Sequence, residues 1–161
     1  SLAAMLFYIW IRFEWQFSLG AIIALVHDVI ITVGIFSFLS YEVNLSIVAA
    51  VLTIVGYSMN DTVVIFDRIR ENLKKYSKIS ISEISDLSTN QTLSRTLITS
   101  ITTLLALLSI FFFGGEVLKG FSLAMIFGVV FGTYSSIYIA NTVLVRLNVS
   151  QKTVLREDDK N

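Results

Sequence analysis

Apolar residues follow one another in four runs that are each long enough to cross a membrane. A transmembrane helix needs roughly 17–25 predominantly apolar residues, and the runs cover about residues 17–39, 45–66, 97–113 and 117–145. A fifth run at residues 2–11 is too short to span, and it lacks the basic start and cleavage site of a signal peptide. We therefore predict an all-α membrane protein, a polytopic helix bundle with four complete transmembrane helices. We interpret residues 1–11 as the tail of a truncated one and expect the chain to be a fragment of a larger membrane protein.

Composition supports a membrane protein and removes several other classes. Hydrophobic residues make up 55% of the 161 residues, a share that soluble domains rarely reach. The formal net charge is zero, which gives no reason to expect a nucleic-acid partner, and the lack of cysteine excludes disulfides and thiolate metal sites. We find no nucleophile–base arrangement, metal cluster or glycine-rich phosphate loop, so we predict no enzyme, no metal and no cofactor.

Lysine and arginine fall mainly on one set of connections between the runs. One connection holds Arg12, the connection 67–96 holds six basic residues, and four more lie from Arg146 onward, whereas the connections between these segments hold only Lys119. Cytoplasmic loops carry the excess of Lys and Arg, so we predict that the connection 67–96 and the tail, residues 148–161, are cytoplasmic. The transmembrane bundle would then occupy residues 12–147. This alternation fits four spans and would fail for three or five.

The connection 67–96 carries helical signals of its own. Arg68–Lys75 continues the second span as a charged extension, and Ser80 and Glu83 have the spacing of a capping box. Apolar residues then recur at helical spacing, namely Ile81, Ile84 and Leu87. We predict a short amphipathic helix near the cytoplasmic surface that leads into the third span, and disorder in the tail from Val149 onward.

Ionisable residues lie inside the spans, where the bilayer makes charge expensive. A charge at bilayer depth costs at least ~2.5–3.5 kcal/mol on insertion scales, so it is normally paired or faces a cavity. Asp28 lies about midway along the first span, beside His27. Asp61 lies in the half of the second span nearest its charged end, and Arg95 begins the third. Antiparallel packing of these two spans would bring Asp61 and Arg95 to similar depth, as a buried ion pair.

Polar residues around this pair predict a water-holding polar seam between the second and third spans. Two of them flank Asp61, and three threonines follow Arg95 at intervals that place them on its helix face. The supporting residues of the seam are Asn60, Thr62, Thr99, Thr102 and Thr103.

From the residues alone, two interpretations of Asp61 and Arg95 remain open. In one, an ion pair holds two helices together and has no other role, since buried ion pairs are weak evidence for stability. In the other, the carboxylate gains and loses a proton beside the arginine and so couples protonation to helix position. His27 and Asp28 allow a similar choice between packing residues and a possible second titratable site, because histidine titrates near neutral pH.

The last span has a small residue at every fourth position. Such spacing lets helix backbones approach closely, so we predict that this helix lies at the centre of the bundle or at a partner interface. The small residues are Ala124, Gly128, Gly132, Ser136 and Ala140.

Long blocks of the sequence resemble the membrane half of the SecF members of the bacterial SecD/SecF protein-export family, in the resistance–nodulation–division superfamily. The blocks are ALVHDVIITVGIFSF, GYSMNDTVVIFDRIREN, NQTLSRTLITSITTLL and FFFGGEVLKGFSLAMIFGVVFGTYSSIYIA, and the resemblance runs from about Arg12 to Val145. It implies half of a pseudo-symmetric bundle. The chain would hold the tail of the second span and all of spans three to six of a six-span protein with a large periplasmic domain.

The resemblance also implies a function. It implies an accessory subunit of the Sec translocase that uses the proton-motive force to assist protein export across the bacterial cytoplasmic (inner) membrane. The implied partners are SecD, the SecY translocon, exported substrate proteins and the lipid bilayer, with protons as the coupling ion. The NDT and SRT motifs of the family imply that Asp61 and Arg95 act in proton coupling. The alternatives are a proton-coupled small-molecule exporter of the same superfamily, and a structural assembly subunit with an inert ion pair.

Overall fold

The computed structural model of the chain is built from helices. It describes Phe7 and residues 15–40, 44–76, 78–150 and 154. Within these ranges there is no strand, and the helices are α1 (Trp15–Phe38), α2 (Leu45–Lys75), α3 (Ile81–Phe113), α4 (Glu116–Tyr134) and α5 (Ala140–Arg146). A π-helical turn, Ser135–Ile139, joins α4 to α5 without a break.

In the described part of the chain, four helical units are long and apolar enough to cross a membrane. They are α1, α2, α3 and the continuous unit Glu116–Arg146, which contains α4, the π turn and α5. The prediction of an all-α membrane protein with four spans is therefore confirmed. The truncated helix predicted at residues 1–11 lies outside the described residues, apart from Phe7.

Helices α2 and α3 continue well past the apolar runs that predicted them. The charged stretch Arg68–Lys75 completes α2. Helix α3 begins after a capping box. The Ser80 hydroxyl accepts a hydrogen bond from the Glu83 backbone N–H, and the Glu83 carboxylate accepts one from the Ser80 backbone N–H. The predicted short amphipathic helix is not a separate element, because no glycine or proline interrupts residues 81–113 and the helix runs straight into the third span.

Polar side chains join the extended ends of α2 and α3 into an antiparallel hairpin. The Asn72 side-chain amide donates to Ser88 Oγ at 2.8 Å and to Gln91 Oε1 at 3.0 Å. The same Gln91 oxygen accepts from Arg68 Nε at 2.7 Å. These contacts fix the register of the two helices beyond their apolar parts.

Residues that follow α5 pack against the base of this hairpin. Val149 and Val154 are 2% and 0% exposed, and they belong to an apolar cluster that includes Leu73 and Ile84. The predicted disorder from Val149 onward is therefore wrong for these two residues, because their side chains bury apolar surface against α2 and α3. Most of the remaining tail lies outside the described residues.

The small residues of the last span lie on its packed side. Helix α4 packs against α1, α2 and α3. Five small residues at every fourth position are buried along this unit, namely Ala124, Gly128, Gly132, Ser136 and Ala140. The tightest approach is at Gly128, where a Cβ atom would overlap the Ile54 side chain of α2, with Ile54 Cγ2 only 2.8 Å away. Close contact of α2 and α4 therefore requires the missing side chain at Gly128.

Gly128→Ala should destabilise the bundle by about 1–3 kcal/mol, the usual cost of overpacking a close-packed core. The apparent melting temperature of the full-length protein in detergent would measure the loss. Gly34→Ala is the matched control, because a Cβ at Gly34 meets nothing within 4 Å. The double variant Gly128→Ala/Ile54→Ala should recover part of the loss, and equal melting temperatures for Gly128→Ala and Gly34→Ala would contradict the packing argument.

Candidate functional site

A buried carboxylate on α1 lies where three helical segments meet. Asp28 is 1% exposed. Its Oδ2 accepts hydrogen bonds from Ser58 Oγ of α2 at 2.5 Å and from Ser135 Oγ of the π turn at 2.7 Å, while its Oδ1 lies 3.0 Å from His27 Nδ1. Gly132 allows a close approach of α4 to α2 here, because an added Cβ would lie 3.3 Å from Ser58 Cβ, tighter than ordinary contact. One carboxylate therefore ties α1 to α2 and to the last span.

Further hydroxyls extend this network along α2. Thr62 Oγ1 and Ser136 Oγ lie 2.9 Å apart, and the Ser136 hydroxyl also lies 3.3 Å from the Ser58 carbonyl oxygen. Ser135 and Ser136, both in the π turn, are fully buried, and neighbouring positions share the packed face in the regular helix α2 as well.

Asp61 lies on α2 between these residues but does not join their hydrogen bonds. It is 5% exposed, and its Oδ2 atom is buried without a hydrogen-bond partner in the described part of the chain. Arg95 is exposed, and its positive charge acts on the Asp61 carboxylate. The two described side chains do not form a contact ion pair.

The prediction of a buried ion pair between Asp61 and Arg95 is therefore wrong, although the charge of Arg95 is close enough to act on the Asp61 carboxylate. The reason is the rotation of α3. Its packed face carries Thr92, Thr96 and Ser100, which are 8%, 1% and 5% exposed. Arg95 lies beside this face and points away from the interior, so its guanidinium stays outside the bundle while Asp61 is inside.

The predicted polar seam is only partly assembled. The three threonines after Arg95 each donate to a carbonyl of their own helix three or four residues earlier, namely Thr99, Thr102 and Thr103. Asn60 is exposed. Of the five residues predicted to support the seam, Thr62 alone joins the buried network around Asp28.

Sequence reasoning missed Ser58 and Ser135, the two residues that hold the Asp28 carboxylate. Ser58 could have been found, because it lies four residues before Thr62 and therefore on the same helix face. Ser135 could also have been found, because it lies three residues after Gly132 and therefore on the packed side of the last span.

Thr62→Val should lower the free energy of unfolding by about 0.5–1.5 kcal/mol, the range expected for one buried interhelical hydrogen bond. The bond lost is the one to Ser136, and valine keeps the side-chain shape. Thr102→Val is the matched control, because the exposed Thr102 hydroxyl bonds only to carbonyls of its own helix. Thermal unfolding of the full-length protein in detergent would compare them, and an equal effect of both variants would contradict the proposed network.

The chain matches a family model described as protein export membrane protein SecD/SecF, C-terminal, over residues 1–150. The protein translocase subunit SecF of Rhodobacter capsulatus is 54% identical over 147 residues, 91% of this chain and 44% of that protein. The subunit of the same name from Rickettsia bellii is 58% identical over 144 residues, 89% of this chain and 48% of that protein. The chain therefore spans about half the length of the curated relatives it matches.

Solved structures resemble the fold closely. A crystal structure of SecDF in a super-membrane-facing form superposes with a TM-score of 0.87 at 44% identity, over 99% of this chain and 22% of that chain. A crystal structure of SecDF from Thermus, described as a translocon-associated membrane protein, gives a TM-score of 0.87 at 47% identity, over 91% of this chain and 20% of that chain.

Proposed function

We propose a function on one premise: the chain belongs to the SecD/SecF C-terminal family of protein export membrane proteins, as its sequence blocks predicted. On this premise the chain is the membrane half of a SecF-type subunit that assists protein export across the bacterial cytoplasmic membrane. The support is its 54–58% identity to protein translocase subunits SecF. The same relatives disfavour a small-molecule exporter, because none of their names describes one.

We further propose that a SecD subunit covers the outer face of α3. In each spanning unit we compare an 18-residue apolar stretch. Only 17% of this stretch is buried in α3, against 33%, 44% and 44% in the other three units. The exposed Arg95 lies on this helix, and an arginine at membrane depth is costly unless a partner or water surrounds it. The solved relatives that superpose on the chain are SecDF structures, which supports SecD as the partner. The SecY translocon and exported proteins follow as the wider partners of such a complex.

We propose that Asp61 and Arg95 couple export to the proton-motive force. The observation that carries this proposal is the Asp61 carboxylate, which is buried, within reach of the Arg95 charge and not bound by a hydrogen bond at Oδ2. A carboxylate in that state can gain or lose a proton without breaking a contact to its neighbours. One charge moved through 100 mV supplies about 2.3 kcal/mol, which is enough to bias an equilibrium between two helix arrangements.

Asp61→Asn and Arg95→Leu should each abolish the part of protein export that depends on the proton gradient. The measurement is export of a substrate protein by membrane vesicles that carry the full-length variant with SecD, with the gradient present and collapsed. Each variant must first reach normal levels and co-purify with SecD.

Asp86→Asn and Arg146→Leu are the matched controls for charge removal, because both residues are exposed. They should retain gradient-dependent export. Full gradient dependence in Asp61→Asn and Arg95→Leu would instead favour the structural subunit, in which the pair has no part in coupling.

We propose that the α2–α3 hairpin and the C-terminus face the cytoplasm, as the distribution of basic residues predicts. The chain has no cysteine, so single cysteines can report the topology. Lys78→Cys should react with a membrane-impermeant maleimide in inverted vesicles, and Glu116→Cys should react in spheroplasts. The opposite labelling pattern would overturn the orientation.

A further inference from the structure

The contacts of Asp28 suit an ionised carboxylate. Each polar atom that contacts it can donate a hydrogen bond: the Ser58 hydroxyl, the Ser135 hydroxyl and His27 Nδ1. The fourth neighbour, Thr32, donates to the Asp28 backbone oxygen instead and leaves the carboxylate untouched. Hydrogen bonds to a charged acceptor are stronger than those between neutral groups. A buried charge is nevertheless costly unless it also has a counter-charge.

His27 is positioned to supply that counter-charge and to exchange it. Its side chain is 27% exposed, whereas that of Asp28 is 1% exposed. Nδ1 faces the Asp28 carboxylate, so Nε2 is the ring nitrogen that does not contact it. Histidine is the residue whose unperturbed titration lies closest to neutral pH. His27 therefore connects a sealed carboxylate with the surface of the bundle.

Few other groups compete for a proton at this position. Helix α2 presents Ser58 to the pair, the π turn presents Ser135, and α4 presents Gly132 and Tyr134. Helix α5 also packs on α1 but contributes no contact to the pair. Within the described part of the chain, Tyr134 is the one further titratable residue in contact, with its ring centroid 6.5 Å from that of His27.

We propose that His27 and Asp28 form a second proton-binding site, distinct from Asp61. With the proton bound, imidazolium and carboxylate form an ion pair at the junction of α1, α2 and the π turn. When His27 releases the proton, Asp28 keeps its two serine hydrogen bonds but loses its counter-charge. The junction then favours another arrangement, and α2 carries the change to Thr62 and its neighbour Asp61. The part of this inference that links the site to export rests on the proposed proton coupling at Asp61.

Two measurements on the full-length protein with SecD test the proposal. The first follows His27 directly, by pH titration of ¹⁵N-histidine signals, with His27 assigned by its loss in His27→Gln. Asp28→Asn should lower the pH at which the His27 signals change, because it removes the carboxylate that stabilises the imidazolium. Thr32→Val should not shift it, because Thr32 is equally buried but does not contact the carboxylate. If Asp28→Asn fails to assemble, Ser135→Ala replaces it. It leaves the carboxylate with one donor fewer, so the charge acts more strongly on the imidazolium and the His27 titration midpoint should move in the opposite direction, upward.

The second measurement is the pH profile of gradient-dependent export in vesicles. His27→Gln should remove one titration step from the wild-type profile, and Asp28→Asn should lose gradient-dependent export. If the pH profile of export is unchanged in both His27→Gln and Asp28→Asn while Asp61→Asn abolishes gradient-dependent export, the second site is rejected and the proposed function is retained. An unchanged His27 midpoint in Asp28→Asn or Ser135→Ala would also reject it. A third outcome is that Asp61→Asn keeps full gradient-dependent export while Asp28→Asn still changes the His27 midpoint. This outcome would reject the role of Asp61 and retain the proton site at His27 and Asp28.

Discussion

The hydrogen bonds to the Asp28 carboxylate constrain the rest of this bundle. A polar group in the hydrocarbon region has no water to bind, so the protein itself must satisfy it. Asp28 receives hydroxyls from two other helical segments, Ser58 at 2.5 Å and Ser135 at 2.7 Å. These partners fix the rotation of α1, α2 and the last span relative to one another.

This arrangement works only because the helix backbones lie very close together. The hydrophobic effect does not drive helix association within lipid, so packing of small residues and interhelical hydrogen bonds replace it. Gly128 admits the Ile54 side chain, and at Gly132 an added Cβ would lie 3.3 Å from Ser58 Cβ, closer than ordinary contact. Ser135 and Ser136 of the π turn then bond to groups of α1 and α2. Close packing and the polar network are therefore two consequences of one helix geometry.

The bundle treats its two buried acids differently. Asp28 accepts hydrogen bonds from two serine hydroxyls and lies 3.0 Å from His27 Nδ1, whereas Asp61 Oδ2 has no hydrogen-bond partner in the described part of the chain. A fully bonded carboxylate resists rearrangement, and an unbonded one can change its protonation at lower structural cost. This contrast is why we propose that Asp61, and not Asp28, is the carboxylate that exchanges protons in coupling. For the Asp28 site, proton exchange is assigned instead to the adjacent imidazole.

The sequence by itself determined the four spans, the capping box at Ser80 and the family, because length, apolar content and long motif blocks are local properties of the chain. It also identified Asp28, Asp61 and Arg95, since ionisable residues at bilayer depth are costly wherever they occur. Only the tertiary structure decided which of them meet. The rotation of α3 left Arg95 outside the bundle. The packing of α1, α2 and the last span brought Ser58 and Ser135 to Asp28. Helix rotation depends on contacts between distant segments, and no local pattern encodes it.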